Sequence, residues 1–414
     1  MNIILLAGGR GSRSENPQLP KVLQELTPGV TILDHWIQLL ANQGFKKLEL
    51  ILGHEHQQIS ARLDERGVPP ELEVTRTIDD RLSGTTNAVL YSQFFGEQSL
   101  VLMADTLSFL DYGKVLSNFD PKASQVAFLA HKNSHFFDSD IVEISRDGLV
   151  RSFYKKRESG NFHNVLALTG GVLLGPDAWG ELEQLQEKGD LVHDLFSTIP
   201  LSRIHVAPFV GLSMDCGTSQ RLERARNLYS FWMARENFPV VILDRDGTLV
   251  RDIPAGRLPG FPLEIDPRDA EAISRINEYG IPVFMVTNQP AIAKGWITSS
   301  DVEEVHASIE LELAKYGAWL DDIVYCPHHP ESGHPGELPE LKIECSCRKP
   351  NTELLKRLIA KYQLQGCDIW VVGDSEVDKA FASKSSAKFI RAEHMSEGNI
   401  AAAVEGMMND WNRK

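Results

Sequence analysis

The chain has no apolar run near the roughly 18 residues that a membrane-crossing helix needs. It has only five cysteines in 414 residues, too few for a disulfide-stapled scaffold. It shows no fixed-period repeat, no low-complexity tract and no Gly/Ser linker, which excludes solenoids, collagen-like rods and flexible tethers. Positive charge is in deficit: 42 Lys and Arg stand against 57 Asp and Glu, a formal net charge of −15. That balance argues against a nucleic-acid surface. Ile3 to Ala7 is too short for a signal peptide and runs at once into glycines. The expectation is a cytoplasmic protein with no membrane and no nucleic-acid partner; its oligomeric state is left open.

What is present is enough apolar residue, 42% of the chain, to fill two cores, and the length suits two domains better than one. Three of the five cysteines fall in two tight clusters, Cys326-Pro-His328 and Cys345-Ser-Cys347. That spacing lets Cys326, His328, Cys345 and Cys347 converge on one tetrahedral, structural Zn²⁺. His329 and His334 are spare candidates for the fourth ligand. Arg348-Lys349-Pro350 follows directly, so a folded loop would hold two cations in place.

Three further runs have the composition of buried strands. Val240 to Leu243 ends in Asp244-Arg245-Asp246-Gly247-Thr248, Val283 to Val286 in Thr287-Asn288-Gln289, and Ile369 to Val372 in Gly373-Asp374-Ser375-Glu376-Val377-Asp378. Polar clusters at successive strand ends, with helical stretches between, point to a parallel sheet with ligands at its carboxyl edge. For any single aspartate a turn or helix cap is the simpler explanation; together, at strand ends, they call for chemistry.

In order and type these motifs resemble the haloacid dehalogenase (HAD) superfamily of phosphatases. The resemblance implies that Asp244 attacks phosphorus as a nucleophile and that Asp246 is the acid and then the base. It implies Mg²⁺ on Asp244, Asp374 and the Asp246 carbonyl, phosphate held by Thr287, Asn288, Arg348 and Lys349, and Asp378 as a supporting acid. About forty residues separate Asp246 from Thr287, too few for a separate cap domain. With the zinc loop, this is similar to D-glycero-D-manno-heptose 1,7-bisphosphate phosphatases and the related histidinol-phosphate phosphatases.

The N-terminal half carries another set. Ile3 to Leu6 ends in Ala7-Gly8-Gly9-Arg10-Gly11-Ser12-Arg13, followed by Pro20-Lys21; later come Gly84-Thr85, Asp105 after Leu100 to Met103, and Asp215-Cys216-Gly217-Thr218. Glycines there let backbone approach a phosphate or base. The set resembles the sugar-1-phosphate nucleotidyltransferases, and implies a Rossmann-like, GT-A-like domain. Arg13 and Lys21 would neutralise a nucleoside triphosphate, Asp105 and Asp215 would hold a second Mg²⁺, and Gly8, Gly9, Gly84 and Thr85 would line the base pocket. Lys156 would contact the sugar phosphate, and Leu168-Thr169-Gly170-Gly171 is expected to be a turn beside the sugar. Ser12 in place of the commoner threonine, and Phe153-Tyr154-Lys155-Lys156 in place of Phe-x-Glu-Lys, depart from the family pattern.

The expected architecture is therefore α/β in two domains: residues 1–230 as the nucleotidyltransferase and 238–414 as a doubly wound parallel-sheet HAD phosphatase with a zinc loop. A mixed-charge helix over 219–236 would close the first. The pairing constrains substrate, because a heptose 1,7-bisphosphate phosphatase makes the sugar 1-phosphate that a nucleotidyltransferase consumes. The resemblance implies a bifunctional enzyme making a nucleotide-activated heptose for a bacterial surface glycan such as lipopolysaccharide, with GTP as donor. Two alternatives stay open: the same chemistries on another sugar phosphate or histidinol phosphate, or an N-terminal domain that binds without catalysis.

Overall fold

Strands buried on both faces leave their ends as the places where polar groups can gather, and the two large sheets among the described residues are built on such strands. The computed structural model describes residues 1–9, 19–81, 84–117, 126–132, 139–145, 148–155, 165–185, 188–234, 237–250, 263–393 and 398–412. The chain divides into two compact units, residues 1–131 with 136–234, and 132–135 with 235–414.

In the first unit, β1 (Asn2–Ala7) has Ile3, Ile4 and Leu5 fully buried. A small hairpin, β2 (Glu25–Thr27) and β3 (Val30–Thr31), leads into the helix Ile32–Asn42. Thr31 and Asp34 form a capping box there, each side chain taking a backbone N–H that the helix cannot satisfy. Then come β4 (Lys47–Leu52), β5 (Glu73–Ile78) and β6 (Ser99–Met103), which lie with β1 in the parallel order β6-β1-β4-β5. The order reverses at β1, so a crevice opens beyond its carboxyl end. β7 (Thr106–Ser108), β8 (Val126–His131), β9 (Ile141–Ile144), β10 (Val150–Tyr154), β11 (Val165–Leu174), β12 (Ile204–Pro208) and β13 (Ser213–Asp215) complete the strands of this unit among the described residues. Nine of them form one mixed sheet, with β11 antiparallel to β6, β8 and β9. β7 and β13 pair as a separate ribbon.

One local expectation is corrected. Leu168 to Gly171 is not a turn: it lies inside the ten-residue strand β11. The register shifts between Leu168 and Val172, with Gly170 at φ +78°. The glycines absorb a bulge while the strand continues. The last helix of the unit spans Ser219–Met233; positions 235 and 236 of the expected helix lie outside the described residues.

In the second unit, β14 (Pro239–Leu243), β15 (Val283–Asn288), β16 (Asp322–Cys326), β17 (Asp368–Gly373) and β18 (Lys388–Arg391) form, among the described residues, an all-parallel sheet in the order β16-β15-β14-β17-β18. Val240 to Leu243 are at most 1% exposed. The order reverses at β14, so the switch point lies at Asp244. Helices connect the strands; that over Ser299–Ala314 begins on a Thr298–Asp301 capping box and that over Glu376–Lys384 on a Ser375–Asp378 one.

Candidate active sites

Asp244 is the first residue beyond β14, at the switch point, and its side chain is almost wholly buried. Lys349 Nζ lies 2.5 Å from Asp244 Oδ1 and 2.6 Å from Asp378 Oδ1. Asp374 joins them: one carboxylate oxygen from each of Asp244, Asp374 and Asp378 lies within 4.8 Å of the others. Three carboxylates against one ammonium leave a buried excess of negative charge, which a divalent cation would offset. Burial pushes the Asp244 carboxyl up to about 6, against the pull of Lys349 and with the push of Asp378. Burial works against the charge on Lys349, but Asp244 and Asp378 outweigh it and hold its pKa up.

The arrangement is set by the neighbouring backbone. The Asn288 side chain clasps Lys349: its Nδ2 donates to the Lys349 carbonyl at 3.1 Å, and its Oδ1 accepts the Lys349 N–H at 2.9 Å. Asn288 is thus engaged in placing the lysine. Asp378 Oδ2 caps its own helix by accepting the Ser375 N–H at 3.2 Å, while Oδ1 faces Lys349. Capping thus occupies one oxygen of Asp378 and leaves the other for Lys349. Gly373 makes room for it, since a Cβ there would lie 2.5 Å from the Asp378 side chain.

Asp246 has a different setting. Arg245 Nε and Nη2 donate to its Oδ1 at 3.0 and 2.9 Å, and Gln289 Nε2 donates to its Oδ2 at 2.8 Å. Arg245 Nη2 also donates to Gln289 Oε1 at 2.8 Å, and Gln289 Nε2 to the Thr287 hydroxyl at 3.0 Å. His306 Nε2 lies 3.4 Å from Arg245 Nη1. Burial, and then the Arg245 charge, push the His306 imidazole down to about 3, so it stays neutral beside the guanidinium. The buried network fixes the direction of the Asp246 side chain.

Cys326 closes β16, and its Sγ lies 3.5 Å from Cys345 Sγ and 3.4 Å from Cys347 Sγ. His328 Nδ1 is 3.2 Å from Cys347 Sγ. All four ligand atoms lie within 4.8 Å of one another, and the three thiols are free, not paired as disulfides. His328 therefore takes the fourth place. His329 and His334 pack ring against ring instead, centroids 6.0 Å apart. Arg348 Nη1 donates to the His328 carbonyl at 3.2 Å, which ties the cluster to the segment bearing Lys349.

In the first unit a cavity of about 380 Å³ opens beyond the β1 switch point. It brings together Gly8, Gly9, Lys21, Gly84, Thr85 and Asp105. Lys21 Nζ donates to Asp105 Oδ2 at 2.8 Å. Gly84, at φ +103°, starts the helix Thr85–Leu90, and a Cβ there would lie 2.3 Å from the Gly189 carbonyl oxygen, so glycine is required. Asp215 pairs across from Thr106, and the Cys216 N–H donates to the Asp105 carbonyl at 2.8 Å. The Asp215 carboxylate is half-exposed and accepts from Arg221 Nη1 at 2.6 Å. Each of the two aspartates expected to hold a metal thus has a cation of the chain beside it. Arg13 and Lys156 lie outside the described residues.

The nucleotidyl transferase family matches residues 2–224. The chain belongs to that family. The HAD-hydrolase-like family matches residues 346–391. The D-glycero-beta-D-manno-heptose-1,7-bisphosphate 7-phosphatase of Pseudomonas putida is 33% identical over 139 residues, 34% of this chain and 73% of that protein. A probable D-glycero-D-manno-heptose-1,7-bisphosphate 7-phosphatase of Thermoplasma volcanium is 32% identical over 155 residues, 37% of this chain and 98% of that protein. The chain belongs to the family of these phosphatases as well. Among solved structures it is similar to HddC from Yersinia pseudotuberculosis complexed with GMP-PN, at 19% identity and a TM-score of 0.45, covering 55% of this chain and 99% of that one. The protein is a bifunctional enzyme, a nucleotidyl transferase joined to a HAD-type phosphatase.

The motifs of the phosphatase converge as expected on Asp244, Asp374, Asp378 and Lys349. Arg245, Gln289 and His306 are site residues that the motifs alone did not single out. Arg245 and Gln289 carried a signal, a polar side chain embedded in each strand-end motif. His306 sits within the helix Ser299–Ala314, and nothing local distinguishes it from a core histidine. In the transferase, Asp79 was missed: it is 5% exposed and lines the cavity.

Proposed function

We propose that the phosphatase domain removes the C7 phosphate of D-glycero-D-manno-heptose 1,7-bisphosphate. The transferase domain then joins the heptose 1-phosphate to a nucleotide, with GTP as donor and pyrophosphate as leaving group. The observation that carries this reading is the pairing in one chain of a nucleotidyl transferase family with relatives named as heptose-bisphosphate phosphatases: the product of the second chemistry is the acceptor of the first. The product would be an activated heptose for a surface glycan, made in the cytoplasm.

In the phosphatase, an Asp244 oxygen attacks phosphorus and the bond to the C7 oxygen breaks. Asp246 gives its proton to the departing alkoxide. Asp246 then takes a proton from water, whose oxygen attacks the phosphoaspartate and releases Asp244. Lys349 neutralises the phosphoryl oxygens, and the Asn288 clasp holds it there. The converging carboxylates of Asp244 and Asp374, with the Asp246 carbonyl, suit Mg²⁺, which would supply further positive charge to the phosphoryl group. Cys326, His328, Cys345 and Cys347 suit a structural Zn²⁺, since three thiolates and one imidazole close a tetrahedron and leave no open position.

In the transferase no protein nucleophile is needed. The sugar phosphate oxygen attacks the α-phosphorus and pyrophosphate leaves, so positioning and charge compensation dominate. Lys21 at the cavity end supplies charge, and Asp105 and Asp215 are the residues that would hold a Mg²⁺, which would offset the charge of the triphosphate.

The test is product analysis by mass. Wild type, heptose 1,7-bisphosphate, Mg²⁺ and each of four triphosphates should yield a nucleotide-heptose. Asp244→Asn should yield none from the bisphosphate, yet normal product from supplied heptose 1-phosphate. Wild type that releases phosphate from histidinol phosphate and leaves the bisphosphate untouched would refute the substrate assignment.

A further inference from the structure

The wall of the transferase cavity that carries the glycine turn is two layers deep. Gly84, Thr85 and Ala88 line the cavity. Behind them runs the segment 188–191, with 104 residues between Thr85 and Gly189. The Thr86 N–H donates to the Gly189 carbonyl at 3.2 Å. The Leu191 N–H donates to the Thr85 hydroxyl at 2.8 Å, and Asn87 Nδ2 to the Lys188 carbonyl at 3.4 Å. The layers also touch, since the Gly189 carbonyl oxygen is the atom that a Cβ on Gly84 would strike. With no slack between them, a shift of 188–191 is passed on to the turn.

One side chain joins both layers. Asp194 lies in the first turn of the helix Leu191–Thr198. Its Oδ2 accepts the Gly189 N–H at 2.9 Å and also the Thr86 hydroxyl. Thr86 is fully buried, so its hydroxyl would go unsatisfied without that acceptor. The Gly189 peptide is held from both sides, its N–H by Asp194 and its carbonyl oxygen by the Thr86 N–H. An acid in a first helical turn has two ordinary uses, capping and the helix dipole. Capping is already done by Asp190, whose side chain accepts the His193 N–H at 3.2 Å. The dipole is served equally by a carboxylate that faces water. Neither use accounts for one oxygen shared between the approach to the helix and a threonine 108 residues away.

We infer that Asp194 is a positioning residue for nucleotidyl transfer: it is not among the residues lining the cavity, and it sets the glycine turn against which the triphosphate lies. This rests on the reading of the cavity as the nucleotide site. Contacts along such a wall are the same before and during the reaction, so loosening it weakens binding and leaves the chemical step alone.

The experiment is steady-state kinetics of the full chain with heptose 1-phosphate and GTP in Mg²⁺. Asp194→Ala should raise KM for the triphosphate about 10- to 100-fold, the effect of losing one or two hydrogen bonds to a charged group. Its kcat and its KM for the sugar 1-phosphate should stay within about threefold of wild type. Asp194→Asn keeps an oxygen that can accept twice and should bring the triphosphate KM back to within about threefold of wild type. Thr86→Val removes one of the two bonds and should raise the same KM; added to Asp194→Ala it should change KM by less than about twofold, because both act on one link. A merely structural role would lower the melting temperature and leave KM where it was. An unchanged triphosphate KM in folded Asp194→Ala, or in Thr86→Val should the alanine variant not fold, overturns the inference. So does Asp194→Asn as impaired as Asp194→Ala, since the charge itself would then be acting on a ligand or ion. So does an equal rise in KM for both substrates. Each of these leaves nucleotidyl transfer standing. Wild type that is inactive with GTP and with the other three triphosphates overturns the reading of the cavity and this inference with it.

Discussion

Lys349→Met removes the one cation between two buried carboxylates, and its consequences can be worked from the geometry. The ammonium is 2.5 Å from Asp244 and 2.6 Å from Asp378, with Lys349 5% exposed. At an effective dielectric of about 20, each contact carries about 6 kcal/mol of Coulomb attraction. Desolvation of the three groups offsets most of this in the intact site. Removing one partner leaves the desolvation cost without the attraction, and truncations of this kind cost about 3–5 kcal/mol. The methionine stem fills the space, so cavity formation adds little. The expected readout is amide exchange about 10²- to 10⁴-fold faster in β14, β15 and β17, with exchange in β1, β4 and β6 unchanged. Phosphate release should be lost, and nucleotidyl transfer from supplied heptose 1-phosphate should persist. Adding Asp378→Asn removes one of the orphaned charges and should recover part of the exchange protection without restoring phosphate release. Unchanged exchange in Lys349→Met, or phosphate release within tenfold of wild type, would refute the claim that this buried triad both holds the site and does its chemistry.

The protein should carry about one zinc per chain by elemental analysis, as closed tetrahedral sites do, and Cys345→Ser should weaken zinc retention and lower phosphatase activity through displacement of Lys349. Asp105→Ala should abolish pyrophosphate release while phosphate release survives; full transferase activity in the folded variant would remove Asp105 from the metal role. His306 gives a pH prediction. Its folded pKa, about 3, lies below the unfolded value of about 6.5, so the unfolded state binds the proton first. The resulting stability is present above about pH 6.5 and falls as pH drops toward 3, by about 2 kcal/mol at pH 5. Melting scans at pH 7.5 and 5 should show the phosphatase transition losing that margin in wild type and much less of it in His306→Gln.

The parts of the two sites that were legible in the sequence are those written as contiguous text. An apolar run fixes a buried strand, and the polar residues that follow it must lie at or just past the strand's carboxyl end, so the order of residues alone is enough to place Asp244, Thr287 and Asp374 there. The cysteine spacing worked for the same reason, since both clusters are local. Misreadings arose where a local signal had two outcomes. Gly170-Gly171 announces a positive φ, but whether the chain then turns or bulges depends on pairing with β8 and β6, which lie 40 to 70 residues away. Asn288 announces a hydrogen-bonding side chain at the mouth of the site; that both its ends go to the Lys349 backbone is a property of two segments 61 residues apart.

Asp79 shows the limit most clearly, because its meaning lies in a register. In the sequence it is one of two acids after a strand of middling polarity, and Asp80 beside it has the same local claim. What separates them is direction: Asp80 is exposed, whereas Asp79 is buried and level with Gly8, Gly53 and Asp105 across four parallel strands. A slip of one residue in the pairing of β4 with β5 would exchange the two, since side chains alternate faces along a strand. The place of Asp79 in the cavity is thus encoded less in the acid itself than in the buried apolar side chains of β4 that lock that register. Leu48, Leu50 and Leu52 are fully buried. Shortening Leu50 to alanine, a position that does not itself line the cavity, should therefore lower stability by about 2–5 kcal/mol yet leave triphosphate affinity unchanged in the molecules that remain folded, because the register is held by several side chains at once.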